Sequence, residues 1–131
     1  DRILRALFAS HWLGQQRPCW CHSTLWPRTA PPADPAAAIG HLAPKLRPLL
    51  RRARELGAFV NFDMESYAHK NTTLELFKTL FQEPEFRDWP HAGIVVQAYL
   101  RDSGKDLNDL IEWGRRRGTR FTVRLVKGAY W

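Results

Sequence analysis

The chain has 131 residues, and its 20 Lys and Arg against 13 Asp and Glu give a formal net charge of +7. With 44% apolar and 25% charged residues it has an ordinary globular composition, which excludes collagen-like, low-complexity and strongly disordered classes. No apolar run approaches the ~18 residues of a membrane span, and Arg5 interrupts the apolar start, so we expect no signal peptide. Because the chain begins with Asp and not Met, we expect it to be a piece of a longer protein.

Residues 1–34 are the irregular part of the sequence. Positions 11–32 hold three Trp, both Cys, four Pro and no acidic residue, and their apolar residues follow neither a helical nor a strand period. Cys19 and Cys21 match no standard zinc spacing, so we expect no metal site. The stretch is either an irregular binding loop or a coding artefact such as a frame error. The abrupt return to ordinary texture at Asp34 favours a mistranslated or non-native segment.

The first regular element predicted is a helix over about residues 35–56. Asp34 followed by Pro35 is typical of an N-cap with proline at the first helical position. Pro44 and Pro48 lie inside the pattern, where we expect them to split or kink the helix. The apolar residues at helical spacing are Ile39, Leu42, Leu46, Leu49, Leu50, Ala53 and Leu56.

Most of the basic excess lies in the first half of the chain, where residues 1–57 carry a net charge of +6 and residues 58–131 only +1. Four arginines cluster on the predicted helix: Arg47, Arg51, Arg52 and Arg54. Such a cluster, with the Trp-rich stretch for base stacking, could form a basic nucleic-acid-binding module. A solvated helix face is the more common explanation, and we keep the nucleic-acid module as the alternative function.

Three further apolar runs predict buried strands over residues 58–62, 93–99 and 120–126. They alternate with helices and start about 30–35 residues apart, which is the size of a βα unit. The fold class is therefore α/β with parallel strands. Right-handed crossovers leave either an open doubly wound sheet or a partial (β/α)8 TIM-like barrel of about three consecutive βα units. No G-x-G-x-x-G follows a strand, so a dinucleotide fingerprint is absent.

The two helices between these strands have recognisable starts. Asn71 or Thr72 is expected to cap the first, and Ser103 or Asp106 the second. The positions predicted to face inward are Leu74, Phe77, Leu80 and Phe81 in the first helix and Leu107, Leu110, Ile111 and Trp113 in the second.

Each predicted strand carries a polar residue at or near its carboxyl end: Asp63, Gln97 and Arg124, the last followed by Lys127 and Tyr130. In both candidate architectures, ligands bind at the carboxyl ends of the strands. Burying such groups without a partner is costly, so the pattern indicates either a shared polar ligand or a structural network such as an Asp63–Arg124 pair. A carboxylate can orient a cation, a carboxamide can bind a heterocycle edge, and a guanidinium stabilises developing negative charge.

The segments F-V-N-F-D-M-E, G-I-V-V-Q-A-Y and V-R-L-V-K-G-A-Y-W resemble the proline dehydrogenase family, above all the form found in bifunctional bacterial enzymes that also carry an aldehyde dehydrogenase. The resemblance covers residues 35–131, which we interpret as part of the family's barrel. It implies a distorted (β/α)8 barrel that binds FAD and oxidises L-proline to 1-pyrroline-5-carboxylate. Electrons would pass to a quinone, with the full-length enzyme in the bacterial cytoplasm or at the membrane periphery.

The resemblance also implies roles for matching positions. Asp63 would lie near flavin and substrate, Gln97 would bind the flavin ring, and Arg124 would approach flavin N5. Asp63, Arg124 and Tyr130 are thus the catalytic candidates, with Tyr130 facing the substrate. The other implied cofactor-binding positions are Val126, Lys127, Gly128, Ala129 and Trp131.

The family's active-site lysine, from an earlier V-K-L-S-A-like segment, has no counterpart here. His22-Ser23-Thr24-Leu25 resembles a remnant of that segment but holds no lysine. The later strands and the late helix whose arginine pair binds the proline carboxylate are also missing from these 131 residues. We therefore expect the chain alone to have little or no activity and to expose unpaired strand edges and apolar surface.

Overall fold

The computed structural model describes residues 18–21, 34–64 and 66–128. The four described strands form one parallel sheet in the order β1-β2-β3-β4. In a (β/α)8 barrel, parallel strands that follow one another in the chain are also neighbours in the sheet, and right-handed crossovers join them. The observed strand order is that of an arc of such a barrel. The α/β class and the parallel strands predicted from the sequence are confirmed. The elements in chain order are β1 (Pro18–Cys21), α1 (Pro35–Glu55), β2 (Phe59–Phe62), a 3-10 turn (Tyr67–His69), α2 (Lys70–Gln82), β3 (Ala92–Gln97), α3 (Ser103–Arg117) and β4 (Thr122–Val126).

β1 lies in the stretch for which the sequence predicts no regular element. It pairs with β2 in parallel, from Pro18 opposite Phe59 to Cys21 opposite Phe62. A strand tolerates proline at its first residue, where the missing N–H need not enter the ladder. Proline is excluded from helix interiors and central strands, and β1 lies at the end of the described strand order. The remaining positions of residues 1–34, apart from Asp34, lie outside the described residues, and the non-native origin of the segment stays a prediction.

α1 begins at the predicted cap and runs without a break. Asp34 Oδ1 accepts hydrogen bonds from two backbone N–H groups of the first turn at 2.9 and 3.3 Å. Pro44 and Pro48 lie inside the continuous helix, so the expected split does not occur. Both prolines are exposed, as is Gly40 one turn earlier. The carbonyls of Gly40 and Pro44, which lose their helical donors, therefore lie on the solvent side, where water can donate hydrogen bonds to them.

The other two helices differ in how well their starts were predicted. α2 begins at Lys70 with His69 at its N-cap, because the chain already turns over Tyr67–His69, so the predicted caps at Asn71 and Thr72 were two or three residues too late. α3 begins at Ser103, one of the two predicted starts, and its N-cap is Asp102. One inward position is also corrected: Ile111 is 40% exposed, because it lies roughly 160° around the helix from the buried Trp113.

The core lies between the sheet and the helices and is rich in aromatic rings. β3 is buried along its whole length. Phe77 and Phe81, both fully buried, have ring centroids 4.7 Å apart, and the ring of Phe62 meets each of them edge-on. The predicted inward face of α2 is confirmed, because Leu74, Phe77, Leu80 and Phe81 are all buried.

Arg117, at the end of α3, is a buried cation that the sequence pattern does not reveal. Only 3% of the residue is exposed. Its Nε donates to the carbonyl of Phe81 at 2.9 Å, and its Nη2 donates to those of Phe86 and Trp89 at 3.0 and 2.7 Å. The rings of Phe81 and Trp113 flank the guanidinium at 5.4 and 5.5 Å. Burial lowers its pKa, with partial compensation from Asp88.

The arginine cluster of α1 is paired with carboxylates. Its cations are therefore compensated within the chain, and no bare basic stripe remains on the described part of this helix for phosphates. The nucleic-acid alternative has no support from this geometry. The pairs are Arg47–Glu83 at 2.8 Å, Arg51–Glu85 at 2.6 Å, Arg52–Glu55 at 2.9 Å and Arg54–Asp88 at 2.9 Å.

Candidate functional site at the carboxyl ends of the strands

Three of the sequence-predicted polar residues meet at one edge of the sheet. Asp63 directly follows β2, Gln97 is the last residue of β3, and Arg124 lies within β4. Arg124 stands opposite Val95 in the β3–β4 register, two positions before Gln97. Because the strands are parallel, their carboxyl ends lie on the same side, which is where ligands bind in such folds.

Asp63 and Arg124 form an ion pair across this edge. Arg124 Nη2 donates to Asp63 Oδ1 at 2.7 Å, and the same oxygen accepts from Asn61 Nδ2 at 3.3 Å. The Asp63 side chain is 15% exposed, whereas that of Arg124 is 46% exposed. The structural network considered from the sequence is thus present, with a guanidinium that is held by Asp63 and remains partly exposed to solvent.

Gln97 is nearly enclosed, at 3% exposure. Its Nε2 donates to the carbonyl of Met64 at 3.0 Å. A carbonyl only accepts, so this bond sets which end of the carboxamide faces Met64. The opposite end, Oε1, is buried and receives no hydrogen bond from any described residue. A buried acceptor without a donor is costly. Trp113 Nε1 and Arg117 Nη1 are also buried without a described partner, but both belong to α3, whereas Gln97 lies at the carboxyl ends of the strands, where ligands bind in such folds.

The main chain continues to pair beyond β3 and β4. The N–H of Ala98 donates to the carbonyl of Val126 at 2.7 Å, and that of Tyr99 to the carbonyl of Lys127 at 3.1 Å. Val126 packs against the core, whereas Lys127 and Gly128 are exposed. The remaining predicted site positions lie outside the described residues, and their roles stay predictions: Ala129, Tyr130 and Trp131.

A second polar cluster lies near the starts of α2 and α3, and sequence reasoning missed it. Lys70 Nζ contacts Asp102 Oδ2 at 2.7 Å and Asp106 Oδ2 at 2.5 Å, and the lysine side chain is only 6% exposed. Burial works to lower the pKa of Lys70, but its hydrogen bonds to both carboxylates outweigh burial and raise it. The Lys70 hydrogen bond lowers the pKa of Asp102. No sequence signal marks this lysine, because its partners follow 32 and 36 positions later.

The described residues contain no group of three or more His, Cys, Asp and Glu side chains placed to hold a metal ion. None of the described helices is both long and apolar enough to cross a bilayer.

The polar groups at the strand ends offer an amide acceptor, a fixed guanidinium and a carboxylate. That set can bind an organic molecule with hydrogen-bond donors and developing negative charge.

The chain is similar to known proteins both in sequence and in structure. The family model for proline dehydrogenase matches residues 5–131, so the match takes in residues 5–34 as well as the 35–131 that carry the motifs. The chain is 37% identical over 90 residues to the bifunctional protein PutA of Escherichia coli (strain K12), covering 69% of this chain and 7% of that protein.

Solved structures of proline utilization A share the fold. The Bdellovibrio bacteriovorus protein, inactivated by N-propargylglycine, gives a TM-score of 0.74 at 51% identity and is matched over 76% of this chain and 10% of its own. The Corynebacterium freiburgense protein gives a TM-score of 0.79 at 37% identity, over 84% of this chain and 12% of its own. The chain therefore spans only 7% to 12% of the lengths of these three relatives.

Proposed function

This chain belongs to the proline dehydrogenase family, and from that premise we propose that it is part of an FAD-dependent enzyme that oxidises L-proline to 1-pyrroline-5-carboxylate in proline catabolism. The observation that carries the proposal is the buried Oε1 of Gln97, to which no described residue donates a hydrogen bond, on the same carboxyl-end side of the sheet as the Asp63–Arg124 pair. A flavin ring carries an N–H donor and accepts negative charge on reduction, which are the two properties that these groups complement.

Gln97 would bind the edge of the flavin ring. Its Nε2 is already committed to the carbonyl of Met64, which leaves Oε1 as the acceptor for a ring N–H. Because the residue is 3% exposed, water competes weakly for this bond, and its contribution to affinity is larger than at the surface.

Arg124 would supply positive charge toward the cofactor. Asp63 holds one nitrogen of the guanidinium at 2.7 Å, so that little side-chain freedom is lost when the cation is placed toward the cofactor. Asp63 Oδ1 is engaged by both Arg124 and Asn61, which makes the carboxylate an orienting group for the arginine. A cation held in place before the reaction stabilises charge that develops during it.

When bound, FAD supplies the hydride acceptor for the proline carbon beside the nitrogen. Residues of the chain would orient the two molecules. In our proposal Val126, Lys127, Gly128, Ala129 and Trp131 line or flank the cofactor, and Tyr130 faces the substrate.

The wider setting forms part of the same proposal. We propose a bacterial, cytoplasmic enzyme that meets the membrane only at its periphery. We propose a quinone as the electron acceptor there. A linked aldehyde dehydrogenase would then oxidise the product further.

Binding of FAD to the 131-residue chain is the direct test. We expect Gln97→Leu to weaken binding about tenfold, the effect of losing one buried hydrogen bond of ~1.4 kcal/mol. Titration followed by flavin fluorescence measures this, and Gln82→Leu, the same change at an exposed glutamine of α2, is the matched control. Failure of the unmodified chain to bind FAD, or equal affinities for the two variants, would contradict the proposed site.

Turnover is expected to be weak or absent, because residues 35–131, the part interpreted as barrel, make up under half of the ~250 residues of a complete barrel. Proline-dependent reduction of a soluble quinone in the presence of FAD would measure it. Robust turnover by these residues alone would show that the lysine-bearing and later family segments are dispensable.

A further inference from the structure

The ring of Tyr99 lies directly against the α-carbon of Gly128. A Cβ atom placed on Gly128 would come within 2.6 Å of Tyr99 Cε1 and 2.8 Å of Cγ, with Cδ1 closer still. These are carbons of the rigid ring near its attachment to the backbone, so a small rotation of a flexible tail cannot relieve the overlap. The face of Gly128 that lacks a side chain is therefore occupied by Tyr99.

The backbone reinforces the same contact. The N–H of Tyr99 donates to the carbonyl of Lys127 at 3.1 Å, which extends the β3–β4 ladder past the ends of both strands. Lys127 and Gly128 are exposed, and Tyr99 is 50% exposed. An exposed main-chain bond is easily opened by water, and a ring packed on the next residue restricts that opening.

We infer that Tyr99 is a positioning residue for the segment that follows β4, and that Gly128 lacks a side chain in order to receive the ring. This assigns Gly128 a different purpose from close approach of a flat ligand. The consequence for the cofactor rests on the proposed function, because residues 126–129 are the stretch proposed to line FAD. Tyr99 then acts on the cofactor through Lys127 and Gly128.

Backbone conformation does not explain the glycine. Positive φ angles occur at Gly57 and Gly118 among the described glycines, and Gly128 is not one of them. An alanine could adopt the backbone of residue 128, so the harm done by Gly128→Ala should come from the ring of Tyr99. That reasoning makes the two positions testable as a pair.

Amide hydrogen exchange at residue 99 is the measurement, made on the unmodified chain, Tyr99→Ala, Gly128→Ala and the double variant. We expect each single change to accelerate exchange about tenfold, which corresponds to ~1.4 kcal/mol. In the double variant, Gly128→Ala should add no further acceleration, because the ring it would strike is gone. In a Tyr99→Phe background, which keeps the ring, Gly128→Ala should still accelerate exchange about tenfold.

Gly104→Ala is the matched control, since a Cβ there meets nothing within 4 Å, and it should leave exchange at residue 99 unchanged. If Gly128→Ala alone fails to fold, recovery of a folded protein by Tyr99→Ala/Gly128→Ala supports the inference. Persistent failure of that double variant overturns it. An equal effect of Gly128→Ala with and without the ring also overturns it, because another neighbour must then fill that face.

FAD affinity provides the second readout. Under the inference, the four proteins follow the same non-additive pattern in their dissociation constants as in exchange. An affinity loss from Gly128→Ala that persists without the ring would mean that the flavin itself occupies that face, which overturns the inference. If the unmodified chain binds no FAD, the proposed function fails and the exchange cycle alone decides the role of Tyr99.

Discussion

Arg117 and Arg124 are two arginines at opposite ends of one βα unit, and the chain uses them differently. Arg117 is enclosed: it donates to three main-chain carbonyls, lies between two aromatic rings and is 3% exposed. Arg124 is held on one side by Asp63, and 46% of its side chain is exposed. An enclosed cation stabilises the chain that surrounds it, whereas a cation that is held in place and still partly exposed can add its charge to that of a ligand site.

The same difference separates the two polar regions of the molecule. On the helical side, four arginines of α1 pair with carboxylates of the chain itself. At the strand ends, Gln97 is buried with an acceptor that no described residue serves. The α1 arginines are thus paired within the chain, and the helical side leaves two buried donors, Arg117 Nη1 and Trp113 Nε1, without a described acceptor. The strand-end region differs in that its buried atom without a partner is an acceptor, on the side of the sheet where ligands bind in such folds.

The largest expected effect is at Arg117. Arg117→Met should lower the free energy of unfolding by about 3 kcal/mol, because three buried carbonyls lose their donors while the long side chain is kept. Urea unfolding followed by circular dichroism measures the loss. Arg116→Met, at an exposed neighbouring position of α3, is the control and should change stability by less than about 0.5 kcal/mol. Equal stabilities of the two variants would remove the contrast between the enclosed and the ligand-facing arginine.

The next effect is expected at Lys70. Lys70→Met should cost about 2 kcal/mol, because it leaves the 12%-exposed Asp106 without its cation, while the 39% exposure of Asp102 moderates the loss. Lys78→Met, which breaks the surface pair with Glu75 on the same helix, should cost much less. If the two variants were equally stable, the Lys70 cluster would be no more than another surface pair.

The Lys70 cluster also predicts a pH dependence. The Lys70 hydrogen bond lowers the pKa of Asp102 in the folded chain, so Asp102 stabilises the fold above its unfolded pKa of about 3.9. That contribution is lost as the pH falls through the lowered pKa. Urea midpoints measured between about pH 2 and 6 should therefore fall less steeply for Lys70→Met than for the unmodified chain. Parallel curves would contradict the coupling.

How far the sequence predicts this molecule depends on the range of the interactions involved. The alternation of helices and strands follows from local periodicity, and the meeting of Asp63, Gln97 and Arg124 at one edge follows from parallel strands that share a direction. β1 was missed because its residues carry no period and begin with Pro18. The continuity of α1 was missed because it depends on which side of the helix Pro44 faces.

Contacts between distant segments account for the rest of the site. Lys70 is buried with its charge paired to Asp106, which lies 36 positions later in the chain. No local sequence pattern predicts that pairing. The ring of Tyr99 meets Gly128 only through the register of β3 and β4, which the sequence does not specify to the residue. The sequence identifies Gln97 as a polar residue in an apolar strand. Which end of its carboxamide is left without a hydrogen bond depends on the position of the Met64 carbonyl, which the sequence does not give.

The smallest expected effect tests the helical side of the comparison. Arg47 meets both oxygens of Glu83 through Nε and Nη2, and the two side chains are 33% and 21% exposed. A double-mutant cycle with Arg47→Gln and Glu83→Gln should give a coupling of about 1 kcal/mol, at the upper end for a partly exposed pair with two-point geometry. The coupling should shrink in 1 M salt, where screening acts within ~3 Å.

The matched cycle is Arg52 with Glu55, a one-turn pair in which both side chains are more than half exposed and for which the expected coupling is about 0.3 kcal/mol. A larger coupling for Arg47–Glu83 would show that Arg47 holds the 83–88 loop, and that the more buried of the two pairs contributes more to stability. Equal couplings near zero would return Arg47 to the class of solvated charges. The helical region would then be less complete in itself than the comparison with the strand ends requires.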